Sequence, residues 1–558
     1  MALFEGLFGH RPYNGDNTTE LLRAISRGAL EFKETRHAVP QRLTRVLVRG
    51  LAADAGQRFA SMEELARALE RARTPRRTGL WAGLVGAVVV AIGYGYFVAN
   101  QPEAHAARCL DGEQRIAGVW NAGRAAAIER SMVATGLAYA RTTGPLVQAQ
   151  LGRYAQAWRE AHATVCNATY VDQTQPRPLL DARLDCLDEH LTDLRTAVGI
   201  FADADAGVAE YAVQAASDLR PPNRCTAAAM RESAMIGSEA AVREVSEELS
   251  RVRVENDAGR HSRARELAGA ALAQADAAGD ASLRAEALLQ LGFAELADEA
   301  LSAAVTSLIA AYELADEAGL DGVRAAAATR LIRAVGVLPS HDAEGMMWSR
   351  IAHAVIRRLG SPPELVVEFH ANLAGLHFRF ARYVEALAEL DRAVALDSDA
   401  TSYRVAAYRA DLGDVHLRRR HEALAQIEYE AAIEQGAISL GPEHPALARP
   451  ISYRGWTQLK QGRLAAAEMD FRRSVSIVEA AFGPEDARLA SHLNGLATVD
   501  LYEGDYAAAG KIYERIRRLV ARSKGPDHLD YIRASTNLAE VELRSGDLAR
   551  RSSSAIRC

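Results

Sequence analysis

Apolar residues along most of this chain recur at three- and four-residue intervals, the period of helices with one buried face. The first such run is under way from residue 1: Leu3, Phe4, Leu7 and Phe8 share a face with no capping residue ahead of them, and Gly9, Pro12 and Asn14-Gly15 end it. "NTTELLRAISRGAL" reads as a short amphipathic helix that Asn17 or Thr18 can cap. A longer stretch, "VPQRLTRVLVRGLAADAGQRFASMEELARALERA", lines up Leu43, Val46, Leu47 and Leu51, then closes on a helix opened by a Ser61/Glu64 capping box. Four short helices make a thin core, and a helix running from the first residue reads as the end of a larger domain.

The pattern then changes. "LWAGLVGAVVVAIGYGYFVA", residues 80–99, has no charge and matches the roughly 30 Å of a bilayer core. Trp81, Tyr94 and Tyr96 sit near its ends, as interfacial aromatics do. The spacing and length predict a transmembrane helix over 79–99. Arg71, Arg73, Arg76 and Arg77 precede it and "NQPEAHAA" follows, so the positive-inside rule puts the N-terminus in the cytoplasm and the C-terminal bulk outside. Charge divides the same way: residues 1–78 hold 14 Arg/Lys against 9 Asp/Glu, net +5, so the whole-chain −6 leaves −11 for the rest. With no basic footprint, nucleic acid is not an expected partner.

Helical periodicity returns in "GEQRIAGVWNAGRAAAIERSMVAT" and "LDCLDEHLTDLRTAVGIFADAD", with breaks at Pro176, Pro178, Pro221 and Pro222. This region, residues 103–243, holds Cys109, Cys166, Cys186 and Cys225, and an oxidising compartment would allow two disulfides. Of the three pairings, Cys166–Cys186 across the turn at "QTQPRP", with Cys109–Cys225 outside it, is the expected one. A zinc site is the rival; without a Cys-x-x-Cys, and with His162 and His190 standing alone in the sequence, no metal is expected. Cys558 is left over.

From residue 244 to 550 the chain repeats. "GPEHP" at Gly441, "GPEDA" at Gly483 and "GPDHL" at Gly525 stand 42 residues apart, and so do the turns "QGRL" at Gly462, "EGDY" at Gly504 and "SGDL" at Gly546. Ala386, Ala425, Ala467 and Ala509 recur early in each second helix, with Leu390, Tyr429, Phe471 and Tyr513 four residues on. Small residues let two helices approach and the large ones fill the gap a turn away. Ala264 and Ala304 extend the array upstream, and a degenerate copy near 323–360 fits the 82 residues from Ala304 to Ala386, giving seven copies before the last. A strict period of this size marks stacked helix pairs. The unit resembles the 42-residue tetratricopeptide variant of kinesin light chains, with "HANLAGL" and "STNLAEV" opening repeats. In the final copy Arg551 replaces the packing alanine, and residues 551–558 form an aberrant tail without a second-helix pattern.

The N-terminal residues 1–72 resemble the C-terminal end of a bacterial receptor-type serine/threonine protein kinase domain. "LFEGLFGHRPYNG" is similar to the family's "L-x-E-x-L-x-G-x-x-P-F", with Tyr13 for the Phe. "LVRGLAADAGQRFASMEELARAL" is similar to its closing helices, with Ala55 for a Pro and Arg58 kept. In the family that Arg pairs with a Glu of the activation segment, which this chain lacks. Also missing are the glycine-rich loop, the nucleotide-binding Lys, His-Arg-Asp and Asp-Phe-Gly, without which triphosphate and metal have no ligands. No catalytic or cofactor-binding residue is therefore expected, and ATP and Mg belong only to the intact family member.

The reading is all-α: a kinase C-lobe remnant, one transmembrane helix, a helical linker domain and an α-solenoid of tetratricopeptide repeats. Its function is expected to be a membrane-anchored, catalytically inactive sensor or scaffold, binding a protein or peptide on the face built by first helices; a homodimer is left open. Asn372, Asp411 and Asn537 share one register on those helices and are the candidate partner-binding residues. The alternative is that the full gene product is an active kinase with a periplasmic sensor.

Overall fold

The computed structural model describes the chain except residues 16, 29, 31, 33–38, 74–108, 227–239, 339, 398–401 and 546–558. The run at 79–99, the tail at 551–558 and Cys558 lie outside the described residues. Among those described, no helix is long and apolar enough to cross a membrane, and all regular structure is helical. The chain forms two compact units, residues 1–104 and 105–558.

The first unit contains α1 (Ala2–Phe8), α2 (Thr18–Arg27), α3 (Gln41–Gly50) and α4 (Met62–Arg73). Gly9 ends α1 in the left-handed conformation, and Asn17 caps α2 by accepting from Glu20 N at 2.9 Å. The capping box forms with a one-residue shift: Ser61 Oγ accepts from Glu64 N at 3.1 Å, while the Glu64 carboxylate reaches back to Ala60 N at 2.9 Å. The apolar face of α1 is divided: Phe4 is fully buried, with its ring against Phe8 and Phe32, while Leu3 stays in solvent. Tyr13 donates to the Leu51 carbonyl at 2.5 Å, and Arg58 donates to the Ala52 and Ala53 carbonyls.

The second unit begins with α5 (Gly112–Val119), α6 (Ala122–Ala134), α7 (Ala140–Tyr170), α8 (Arg177–Ala202) and α9 (Ala206–Asp218), then a 3-10 turn at Pro222–Thr226. The stretch from Gly112 to Thr135, read from its periodicity as helical, forms two helices. Asn121 interrupts it because its side chain accepts from Arg124 N at 3.1 Å and caps α6. Trp158 on α7 is fully buried and donates to the Leu187 carbonyl at 2.8 Å, fixing α7 against α8. The disulfides are Cys109–Cys166 and Cys186–Cys225, not the pairing expected from the turn at "QTQPRP". Cys166 and Cys186 sit on α7 and α8, and each bonds a partner from outside those two helices.

Helix pairs follow: α10 (Ala240–Asp257) with α11 (His261–Ala278), α12 (Ala281–Ala297) with α13 (Leu301–Glu317), α14 (Asp321–Gly336) with α15 (Asp342–Arg358), α16 (Pro363–Arg379) with α17 (Tyr383–Leu396), α18 (Tyr403–Arg418) with α19 (Glu422–Ser439), α20 (Ala448–Lys460) with α21 (Leu464–Phe482), and α22 (Leu489–Glu503) with α23 (Tyr506–Ser523); α24 (Leu529–Ser545) is a further first helix. The packing alanines 264, 304, 386, 425, 467 and 509 are all fully buried, and buried Gly345 holds the position in the degenerate third pair. Five residues before each of these seven stands a turn residue with positive φ: Gly259, Glu299, Ser340, Ala381, Arg420, Gly462 and Gly504. The large residue four positions after the alanine packs on a small one in its own first helix. A Cβ on Gly413 would lie 2.6 Å from the Tyr429 ring, and one on Gly455 3.0 Å from Phe471. Phe471 also abuts the next first helix, where a Cβ on Gly495 would lie 2.2 Å away. In the first pair the sizes are reversed, Val252 facing Ala268, and both remain fully buried.

Candidate functional site

The Gly-Pro loops that enter α20, α22 and α24 share a device with the 42-residue period. His444 Nδ1 accepts from Ala446 N at 3.2 Å, Asp486 Oδ1 from Arg488 N at 2.8 Å, and His528 Nδ1 from Asp530 N at 3.1 Å. Each side chain holds the loop by capturing the amide two residues on. His444 uses its second nitrogen as well: with Nδ1 an acceptor, Nε2–H donates to the Glu210 carbonyl on α9 at 3.0 Å. Burial pushes its pKa down to about 4, so the ring is neutral at pH 7.

That bond belongs to a wider contact in which the segment from α8 to the 3-10 turn lies against the first helices. Asp193 on α8 accepts from Ser250 and, at 3.0 Å, from Arg253, both on α10, and from Arg220 at 2.8 Å. Burial alone would raise the Asp193 pKa, but the two guanidiniums and these hydrogen bonds hold it below the usual carboxylate range. Asp218, at the end of α9, accepts from Tyr403 Oη at 2.6 Å and pairs with Arg404 on α18; Arg224 pairs with Glu364 on α16. Burial raises the Asp218 pKa despite Arg404. A buried core also joins these parts, with Leu440 and Ala481 of the array packing with the helices of residues 109–226.

Between α9 and the first helices of the last repeats a cavity of about 650 Å³ stays open. Ala406, Ala407 and Ala410 of α18 form one wall, Tyr453 and Trp456 of α20 another, and His492 of α22, Phe482 and Arg488 the far side; Glu210 and Gln214 of α9 close one end. The alanines leave the volume that larger residues would fill. Trp456 is fixed edge-on against Phe471 at 5.3 Å, and Tyr453 stacks near Tyr429. The polar rim is largely neutralised: Arg488 is 3.7 Å from Glu210 and bonded to Asp486, and Arg449 is shared by Asp411 at 2.8 Å and Asp414 at 2.7 Å. Burial lowers the His492 pKa to about 4, and its buried Nδ1 has no hydrogen-bond partner among the described residues. The chamber walls are largely apolar and aromatic, with the neutral His492 imidazole, Gln214, Ser452 and Ser491 among its polar groups.

The sequence-derived candidates fall beside this chamber rather than in it. Asn372 donates to the Thr329 carbonyl on α14 at 3.2 Å, Asp411 holds Arg449, and Asn537 donates to Asn494 Oδ1 on α22 at 3.2 Å. All three link one first helix to a neighbouring one. Only Asp411, through Arg449, borders the cavity. Tyr453, Trp456 and His492 were missed because their faces become a chamber only when α9 closes it, which no local pattern records. The Ala406-Ala407 pair and Ala410 were the visible signal.

The family model of the tetratricopeptide repeat matches residues 488–550, which include α22 and α23. With seven helix pairs in register, the array is a tetratricopeptide-repeat solenoid. No curated protein matches the sequence. Among solved structures the chain is similar to a Rap protein complexed with competence and sporulation factor, at 14% identity, TM-score 0.42, covering 67% of this chain and 98% of that one. It is also similar to a STAND protein with a tetratricopeptide repeat sensor, PH0952 from Pyrococcus horikoshii, at 12% identity and TM-score 0.44, spanning 56% of this chain and half of that one. BtubC (BKLC) from P. vanneervenii is 17% identical with TM-score 0.35, covering 39% of this chain and 87% of that one.

Proposed function

We propose that the chain is a membrane-tethered binding protein whose solenoid captures a peptide or protein partner by seating an apolar or aromatic side chain in the chamber between α9, α18, α20 and α22. The observation that carries this is the open volume of about 650 Å³ lined by Ala406, Ala407, Ala410, Tyr453 and Trp456 on a repeat array. The tether is the uncharged run at 79–99, crossing the inner (cell) membrane once, with the repeats on the periplasmic or extracytoplasmic side. The resemblance of residues 1–72 to the end of a serine/threonine kinase domain supports descent from receptor kinases, and without nucleotide ligands this chain does not transfer phosphate. The test uses the full chain in detergent with peptides selected from a random display library. Ala407→Trp should weaken the selected peptides at least ~10-fold, equivalent to about 1.4 kcal/mol, while the protein stays folded; binding indifferent to this variant contradicts the site. Saturable micromolar binding of an ATP analogue would contradict the catalytic part of the proposal.

A further inference from the structure

His190 stands alone in the sequence but not in the fold. It lies four residues after Cys186 on α8, one turn along the same face, and Cys225 in the 3-10 turn closes on both. One imidazole nitrogen of His190 and the sulfurs of Cys186 and Cys225 all lie within 4.8 Å of one another. The group is largely interior: His190 is 3% exposed and Cys225 fully buried, while Cys186 is half-buried and so gives access from outside. His190 Nδ1 is 2.9 Å from the Arg220 carbonyl, which can only accept, so Nδ1 carries the proton and Nε2 keeps its lone pair. An imidazole oriented by donating its other nitrogen to a backbone carbonyl is the usual arrangement of a metal-ligating histidine. The second disulfide is a built-in contrast. His162 also stands four residues from Cys166, but its ring stacks on Trp158 at 5.0 Å, and no such three-ligand group forms there among the described residues.

We propose that Cys186, Cys225 and His190 form a site for a thiophilic metal ion, zinc or cuprous copper, that is masked by the disulfide and opened by its reduction. A dithiol reductant supplies two electrons and two protons, leaves as its own disulfide, and yields the Cys186 and Cys225 thiols. Metal binding then expels both thiol protons and forms two metal–sulfur bonds and one metal–nitrogen bond. The Cα atoms of the two cysteines are 5.8 Å apart, within reach of two metal–sulfur bonds of about 2.3 Å to one centre. Two soft sulfurs and an imidazole suit these ions over magnesium or calcium. Because Arg220 and Arg224 belong to the segment that Cys225 ends, the site would report the redox state to the contact with α10 and α16.

The test uses the full chain carrying Cys558→Ser, reduced and kept anaerobic, titrated with Co²⁺ alone and then with Zn²⁺. One equivalent of cobalt should bind with a sulfur-to-cobalt charge-transfer band that zinc abolishes, and the oxidised chain should show no band. Cys109→Ser with Cys166→Ser should leave the band intact, and Cys186→Ser should remove it. His190→Asn places an amide N–H where Nδ1 stands, keeping a donor for the Arg220 carbonyl while removing the Nε2 ligand, and should weaken cobalt at least ~10-fold, with unchanged far-ultraviolet dichroism showing that the fold persists. No band in the reduced chain, or a band that survives both Cys186→Ser and His190→Asn, overturns the proposal.

Discussion

The seven turn residues with positive φ explain why some repeats are legible in the sequence and others are not. Gly462 and Gly504 announce their turns, whereas Glu299, Ser340, Ala381 and Arg420 adopt the same left-handed conformation with side chains that give no turn signal. A left-handed non-glycine residue costs about 1–2 kcal/mol, partly offset by the entropy a glycine adds to the unfolded chain. Ala381→Gly is therefore expected to raise unfolding stability by about 0.5–1 kcal/mol, and Gly462→Ala to lower it by a similar amount, both read from denaturant midpoints. Packing was more legible than turns: the alanines and the large residues four positions on marked the second helices, while the packing of Tyr429 and Phe471 against Gly413 and Gly455 was found only in the fold. Phe471→Ala should cost about 3–5 kcal/mol, because Phe471 fills the space toward two first helices at once.

At the level of elements, the Gly-Pro loops were visible as a motif but their mechanism was not, since histidine and aspartate do not look equivalent until both are seen accepting the same amide. Buried histidines, His444 of the first such loop among them, make stability depend on pH. His190, His444 and His492 each have a folded pKa lowered to about 4 by burial, against 6.5 when unfolded. Between those values the unfolded chain takes up protons that the fold refuses, so stability is fully present above pH 6.5 and falls as pH drops toward 4. For His444 alone the full shift corresponds to about 3 kcal/mol. Asp257 and Asp500, whose folded pKa values burial raises to about 8 and about 6, act in the opposite direction, so the His444 part is read as the difference in denaturation midpoint between the wild type and a His444 variant at pH 7.5, 5.5 and 4.5, a difference that should shrink as pH falls. His444→Asn keeps an acceptor for Ala446 N without titrating but is too short to reach the Glu210 carbonyl, so it should lower stability at pH 7.5 and reduce the slope; an unchanged slope would exclude His444 as a source. The disulfide pairing was beyond the sequence because it depends on where the chain enters and leaves the α7–α8 pair, not on the turn joining them.

At the scale of the whole molecule, nothing in the local pattern says that residues 109–226 fold against the repeats, because the contacts join positions far apart in the chain, such as Glu210 and His444, 234 residues from each other. Asp218 with Arg404 and Tyr403 is the testable joint: Arg404→Ala should cost about 2 kcal/mol and lower the temperature of the unfolding transition more than Arg409→Ala, whose partner Glu428 lies within its own repeat. The proposed orientation predicts alkaline phosphatase activity from a fusion at residue 240 and none from one at residue 75. The binding claim is tested most directly by hydrogen–deuterium exchange on the full chain, with and without a display-selected peptide. Protection is expected to increase in residues 403–414, 448–458 and 489–496, the first-helix segments that line the chamber. Peptide binding that leaves those segments unprotected, or protects only residues elsewhere, would contradict the account.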